Sequence, residues 1–458
     1  MTAITDFVNH FVNLKYKDLP AAAVEAAKKE VLDSLATALG GSTKPGVKEL
    51  VDIVREWGGT KQSTIIAQGL KCPAPNADQV HAAMIHALDY DDGHQAALVH
   101  TGCVTVSTAF AVAERMESVT GKELITAIAL GGDFMARLGL AGRPGRTALS
   151  SGWHPTTLLG HFGAAAVAGR LMKLDAEKMT NVLGLAYHQA GGAGSGVSDG
   201  ALAKRMGPGF AAKAGINAAL MAERGITGER DPLEGKTGLF HTYMCGDYDP
   251  DILTAGLGKT FEGVNIGDKP YPCCGLIHAC VDAVLALKSR HKIDVEKIEE
   301  IIAYGGHSVY DLSQPPEVKR RPRTIIDAQF SVPWVVATAL VGGKVTVDDF
   351  TDAAITRPEI LNMAQKVSGR LVPEMDRHGV GPGGVIIKMS GGAEYREEVA
   401  HCLGSPERPM DFSDVTRKFR ECAVASLKPL SSATIDRVID LVGKLEKLDD
   451  AAAVIRLL

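Results

Sequence analysis

GCVTVSTAFAVAERME, residues 102–117, decides the fold class. Wound into a helix it is apolar or small almost all round, with charge arriving only at Glu114, Arg115 and Glu117. A helix apolar on every face is a buried one, so other helices must surround it. Outward on both sides the pattern repeats. Residues 20–39, PAAAVEAAKKEVLDSLATAL, carry apolar residues at helical spacing and stop at Gly40–Gly41, a C-terminal cap signal. A second helix over 46–57 ends at Gly58–Gly59, and further ones cover 77–88 and 122–138. STIIA at 63–67 suits a short strand. So many closely packing, alanine-rich helices predict a helical bundle for the first half of the chain.

Two polar breaks interrupt it. LDYDDGHQAALVH, residues 88–100, holds Asp89, Asp91, Asp92, His94 and His100 between apolar helices. Burying such groups is costly unless they pair. They pair with a substrate and move its protons, or they form a solvated acidic loop. Asp89, Asp91 and His94 also have the donor types for a divalent ion. HExxH is absent and no other His–carboxylate spacing fits, so no metal is expected. The second break, SSGWHPTT at 150–157, puts His154 just before a helix that Thr156 or Thr157 can cap. A helix N-terminus favours anions, although the same turn would serve simply to fix the helix entry.

Length and composition set the frame. A chain of 458 residues predicts two domains. A net charge of −5 with no long basic run argues against nucleic acid and anionic membranes as partners. The N-terminus lacks a basic segment followed by an apolar one, and no apolar run reaches the roughly 20 residues of a membrane span. A cytoplasmic location and no membrane partner are the expectation. Eight cysteines without a CxxC pair are expected to be reduced, with adjacent Cys273 and Cys274 as small core or pocket residues.

Further along, Gly196–Gly200 spells GxSxG, but a helix-like segment precedes it where a nucleophile elbow needs a strand. Lys204 and Arg205 follow at the entrance of a small-residue helix over 202–225. They suit an anionic ligand, or are a solvated basic pair. Near residue 265 the character changes. KPYPCCGLIHACVDAVLAL, 269–287, enters a helix with His278 in its first turns. Strand-like KIEEIIAYGG and GGVIIKMSGGAEYREEV follow, with a helix over 331–341 between them and KRRPRT, 319–324, as a loop. GxGxxG by letter at 379–384 precedes a strand and contains Pro382, which argues against a dinucleotide site. Residues 411–422 and 430–455 return to helical spacing. The expected layout is a helical domain over 1–265, an α+β domain over 266–398, and a return to the helical domain over 399–458.

What remains for chemistry is His100, His154, His278 and Lys204, each at a polar break in apolar sequence. Imidazoles and an ammonium with no strong nucleophile, phosphate loop or cofactor motif suit proton abstraction next to a carboxylate. Elimination, decarboxylation or reprotonation would follow.

LDYDDGH…VH, GWHPTTLLGHFGAAAVAGRL, AKRMGPGFAAKAGINAALMAERGITG, KPYPCCGLIHACVDA and DAQFSVPW together resemble the MmgE/PrpD family. That family includes 2-methylcitrate dehydratases, cis-aconitate decarboxylases and iminodisuccinate epimerases. The resemblance runs in order over nearly the whole chain. It implies a mainly α protein: a large helical domain built from both termini, with a smaller α+β lid domain. It further implies a homodimer and chemistry without a cofactor in the cleft between domains. Asp89, His100, His154, Lys204 and His278 resemble the family's catalytic residues, with His100 one residue further from Asp89 than in the pattern. Lys269 resembles a basic residue of the lid motif.

Three positions depart from the decarboxylase pattern. Gly93 stands for a Thr, Gly207 for a His three residues after the lysine, and Trp334 for a Tyr. The expectation is a lyase or isomerase on a small di- or tricarboxylate, of the 2-methylcitrate dehydratase or iminodisuccinate epimerase kind. The alternatives are a cis-aconitate decarboxylase-like carboxy-lyase and a non-catalytic carboxylate-binding homologue. Asp89 would orient an imidazole. Gly93, His94, Arg205, Lys269 and Trp334 would meet the substrate.

Overall fold

The computed structural model describes residues 2–142, 152–377 and 380–458. The chain forms two compact units. The first comprises Met1–Ser195, Ala203–Asp268 and Asp411–Leu458, and is helical. The second comprises Gly196–Leu202 and Lys269–Met410, and is α+β.

In the first unit the Gly102–Met116 helix is buried from Gly102 to Glu114, as its all-round apolar sequence predicts. Ala21–Gly41, Ala74–His86, Gly121–Ala141, Pro155–Leu171 and Ala203–Glu223 are the other long helices relevant to the site. Small residues allow close approach. A β-carbon on Gly209 would lie 2.5 Å from the Gln79 carbonyl oxygen, and one on Gly215 would lie 2.3 Å from the Ala164 β-carbon. The Ala203–Glu223 helix therefore packs backbone-close against both Ala74–His86 and Pro155–Leu171. The C-terminal helix Phe412–Val424 belongs to this unit through Lys418. Its ammonium donates to Asp33 at 2.6 Å and to the Tyr90 carbonyl at 2.5 Å, and sits 3.9 Å above the Tyr90 ring.

One expectation is corrected here. Gly121–Ala141 is long and apolar enough to cross a membrane by length and composition. Asp133 and Arg137 hide this in the sequence, because they read as charges breaking an apolar run. In the structure they pair with each other at 2.8 Å, and Arg137 also donates to the carbonyls of Ala255 and Thr260. The helix is buried inside the unit.

The second unit is built on a four-stranded sheet in the order Val367–Leu371, Ile298–Gly305, Gly383–Met389, Glu394–Val399. The first pair is parallel and the other two are antiparallel. Ile301, Ala303, Val385 and Ile387 alternate toward the core, against Val281 and Val284 of the His278–Arg290 helix and the Val332–Gly342 helix. This unit extends to Met410, beyond the expected 398. Asp282 ties the extra segment down, accepting from the Leu403 amide at 2.7 Å and from Arg408 at 2.9 Å. Residues 430–455, which return to helical spacing in the sequence, are Ser432–Gly443 followed by short 3-10 turns. Asp450 starts one of these turns by accepting from the Ala452 amide.

Candidate active site

The first polar break joins the Ala74–His86 and Gly102–Met116 helices, and every carboxylate in it is buried. Asp92 caps the second helix from ten residues away. It accepts from the Thr101 amide at 3.0 Å, the Thr101 hydroxyl at 2.9 Å and the Gly102 amide at 3.0 Å. Gly102 is required there, since a β-carbon would stand 2.5 Å from the Asp92 carboxylate. Burial, then the charge of Asp91, pushes the Asp92 carboxyl up. Asp89 has φ +50°, a left-handed conformation that Asp tolerates better than most residues. Its carboxylate forms an ion pair with Lys204, buried on both sides.

Asp89 was expected to orient an imidazole. Asp89 meets Lys204 and its charge also acts on His154, while Asp91 lies against two further imidazoles. Asp91 Oδ2 lies 2.8 Å from His86 Nδ1 and 3.4 Å from His100 Nδ1. Burial alone would raise the Asp91 carboxyl, but the two imidazoles outweigh it and hold it well below the usual carboxylate range. His100 Nδ1 also lies 2.6 Å from the Asp92 carbonyl oxygen. A carbonyl only accepts, so Nδ1 carries the hydrogen and Nε2 is the nitrogen open to proton exchange.

The rings of His86 and His100 meet edge to face at 4.8 Å, and His154 is 5.8 Å from His86. Burial pushes His86 down to about 4, with the Asp91 charge opposing. His154 is held well below the ordinary imidazole range by burial and then by the Lys204 ammonium, which keeps it neutral near pH 7. Its Nδ1 is 2.8 Å from the Thr157 hydroxyl.

His154, and not Thr156 or Thr157, occupies the N-cap position, because the helix starts at Pro155. Thr157 points back to His154, while Thr156 accepts from the His100 amide at 3.1 Å. Ser150 and Ser151 of this break, and Gly379 of the GxGxxG string, lie outside the described residues.

The other expected contacts divide. A β-carbon on Gly93 would lie 3.9 Å from His100 Nδ1, so Gly93 borders that ring. His94 is engaged at both nitrogens, with Glu262 at 3.1 Å and the Ala97 amide at 3.1 Å. It stitches the loop together. Arg205 follows Lys204 by one residue, about 100° around a helix, so the two diverge. Arg205 donates to the Pro45 carbonyl at 3.1 Å, and burial lowers its guanidinium to about 10. Lys269, His278 and Trp334 belong to the second unit. Lys269 is buried. His278 Nε2 donates to the Cys273 carbonyl at 3.2 Å, and its ring meets Tyr271 at 5.3 Å. Trp334 is wholly buried against Phe350.

Asp89, Asp91 and His94 do not converge as metal ligands, since Asp89 meets Lys204 and His94 meets Glu262. Among the described residues, donors of His86, Asp91 and Cys103 lie within 4.8 Å of one another. Burial followed by the charge of Asp91 pushes the Cys103 thiol well up. His86 is missed in the sequence, and Thr157 is read there only as a helix cap and not as the partner of His154. The only signal for His86 was its place three residues before Asp89, at the end of an alanine-rich helix.

The MmgE/PrpD N-terminal domain family matches residues 4–251, and the MmgE/PrpD C-terminal domain family matches residues 271–442. The chain is 28% identical to a cis-aconitate decarboxylase of Aspergillus terreus, over 100% of this chain and 96% of that protein. It is 26% identical to the cis-aconitate decarboxylase-like protein oryM of Aspergillus oryzae, over 99% and 96%. It is 25% identical to the human cis-aconitate decarboxylase, over 100% and 95%. With both family domains matched in order along it, the chain belongs to the MmgE/PrpD family.

Proposed function

We propose that this MmgE/PrpD enzyme is a carboxy-lyase working without a cofactor on a small unsaturated tricarboxylate of the cis-aconitate kind. One observation carries the reading: the rings of His86, His100 and His154 cluster, with centroids 4.8 and 5.8 Å apart, and the charge of the buried Lys204–Asp89 pair acts on His154. In such a substrate a CH2–COO⁻ arm is attached to a carbon–carbon double bond. The bond to the carboxylate breaks and CO2 leaves. The released pair forms a new double bond, and the old π pair moves to the far carbon, which takes a proton. Lys204 stabilises the charge on the carboxylate beside that carbon. His100 delivers the proton from Nε2, and neutral His154 accepts a hydrogen bond from the substrate or its proton.

The sequence favoured a hydro-lyase or epimerase, with decarboxylation as the alternative. Full-length similarity to decarboxylases supports the alternative over that first choice. A second reading, elimination of water or epimerisation at the same site, is favoured by Gly93 and Gly207, where groups of the decarboxylase pattern are replaced. On the family resemblance we assign His278 a further proton-transfer role and Lys269 a carboxylate-holding one, and expect a homodimer. Incubation with cis-aconitate, followed for CO2, tests the reading. Release of CO2 supports it, and conversion without CO2 favours the second.

A further inference from the structure

An ionised carboxylate shared by two imidazoles in a buried setting is an expensive arrangement. A structural role accounts for it poorly. His94, a structural histidine in the same loop, bonds at both ring nitrogens. His86 bonds at Nδ1, and its buried Nε2 has no hydrogen-bond partner among the described residues. Exposure separates the two rings: the His86 side chain is 0% exposed and that of His100 is 19%. Only His100 of this pair can meet a solute.

We infer that Asp91 is a positioning residue for His100, placing a negative charge beside its Nδ1 and balancing the imidazolium formed when Nε2 carries a proton, and that His86 anchors Asp91. The inference rests on the reading that His100 is a proton-transfer group. The Asp92 carbonyl at 2.6 Å fixes the His100 tautomer but supplies no full charge, whereas Asp91 at 3.4 Å supplies one. The edge-to-face contact of His86, 71° between planes, sets the tilt of the His100 ring. With Nδ1–H given to the Asp92 carbonyl and the Asp91 charge beside it, Nε2 is the His100 nitrogen left for proton exchange. A carboxylate behind a catalytic imidazole acts in this manner in hydrolase triads, where it is worth several powers of ten in turnover.

The test uses the full chain carrying Asp91→Asn, His86→Leu or His86→Asn. The asparagine amide reaches about where His86 Nδ1 donates, so it serves as the conservative rescue. Imidazole 15N–1H spectra of the ligand-free protein report the His100 tautomer and its Nδ1–H resonance. The expected wild-type result is the Nδ1–H tautomer, with that resonance moved upfield or lost in Asp91→Asn. With cis-aconitate, Asp91→Asn should lower kcat by about 100-fold or more with KM within about threefold. His86→Leu should lower kcat by at least about tenfold, and His86→Asn should restore most of it.

An Nε2–H tautomer in the wild type, or an unmoved resonance and unchanged kcat in Asp91→Asn, overturns the inference. If His86→Leu does not fold, the wild-type tautomer and Asp91→Asn decide alone. If the wild type turns over no cis-aconitate, the functional reading fails, while the spectra still decide the positioning role.

Discussion

Gly207→Ala should damage both the fold and the site, and the structure gives the size of each effect. A β-carbon at 207 would stand 2.2 Å from the Thr157 hydroxyl oxygen, about 1 Å inside ordinary contact. Either the Ala203–Glu223 helix moves or Thr157 turns. Overpacking of this kind costs about 1–3 kcal/mol. If Thr157 turns, its 2.8 Å bond to His154 Nδ1 is lost. A neutral hydrogen bond is worth about 1 kcal/mol, a factor of about five, and a displacement of a catalytic group by about 1 Å costs about 100-fold. We expect kcat/KM to fall between those limits.

Thr157→Ala separates the two effects. It removes the clashing oxygen, and the remaining β-carbon is 3.4 Å from the new one. In Thr157→Ala/Gly207→Ala, urea unfolding of the first unit should come back to within about 1 kcal/mol of Thr157→Ala alone. Its kcat/KM should stay low, because His154 still lacks its partner. Gly207→Ala as stable as wild type, or full activity in the double variant, would refute the reasoning.

Three further predictions concern the same pocket. His154 should stay neutral as pH falls through 6.5, read from its ring resonances, because its folded value is depressed. Its contribution to stability is then full above about pH 6.5 and is lost on acidification toward the folded value. Lys204→Met removes the ammonium and frees Asp89, both of which move His154 upward; an unshifted titration would count against the geometry. Gly93→Thr should be tolerated, with unfolding changed by less than about 1 kcal/mol, because its β-carbon makes only ordinary contacts. Restoring the hydroxyl of the decarboxylase pattern beside His100 should change KM more than kcat, and a misfolded Gly93→Thr would contradict this packing.

Much of the fold was legible because glycine stops and helical spacing are local signals. Gly58, with φ +63°, ends the Val47–Trp57 helix where the sequence puts the end, whereas Gly40 and Gly41 lie inside their helix, which runs to Gly41. The site was legible as a set of polar breaks, which is why Asp89, His100, His154 and Lys204 stood out. The division of labour among them was not. That Asp89 turns to Lys204 goes with one positive φ, and neighbouring Lys204 and Arg205 part because a helix turns. His86 was hidden because a histidine inside an alanine-rich helix carries no local mark. Thr157 gains its role from a glycine fifty residues later in the chain.

The most direct measurement is product analysis of the purified full chain with cis-aconitate in D2O buffer containing EDTA. Carboxy-lyase chemistry predicts CO2 and a five-carbon unsaturated dicarboxylate in equal amounts. One solvent deuterium should sit on the protonated carbon, and Lys204→Met should be slower by at least about 100-fold. No CO2, with a hydrated product or deuterium exchange into unchanged substrate instead, would contradict the account.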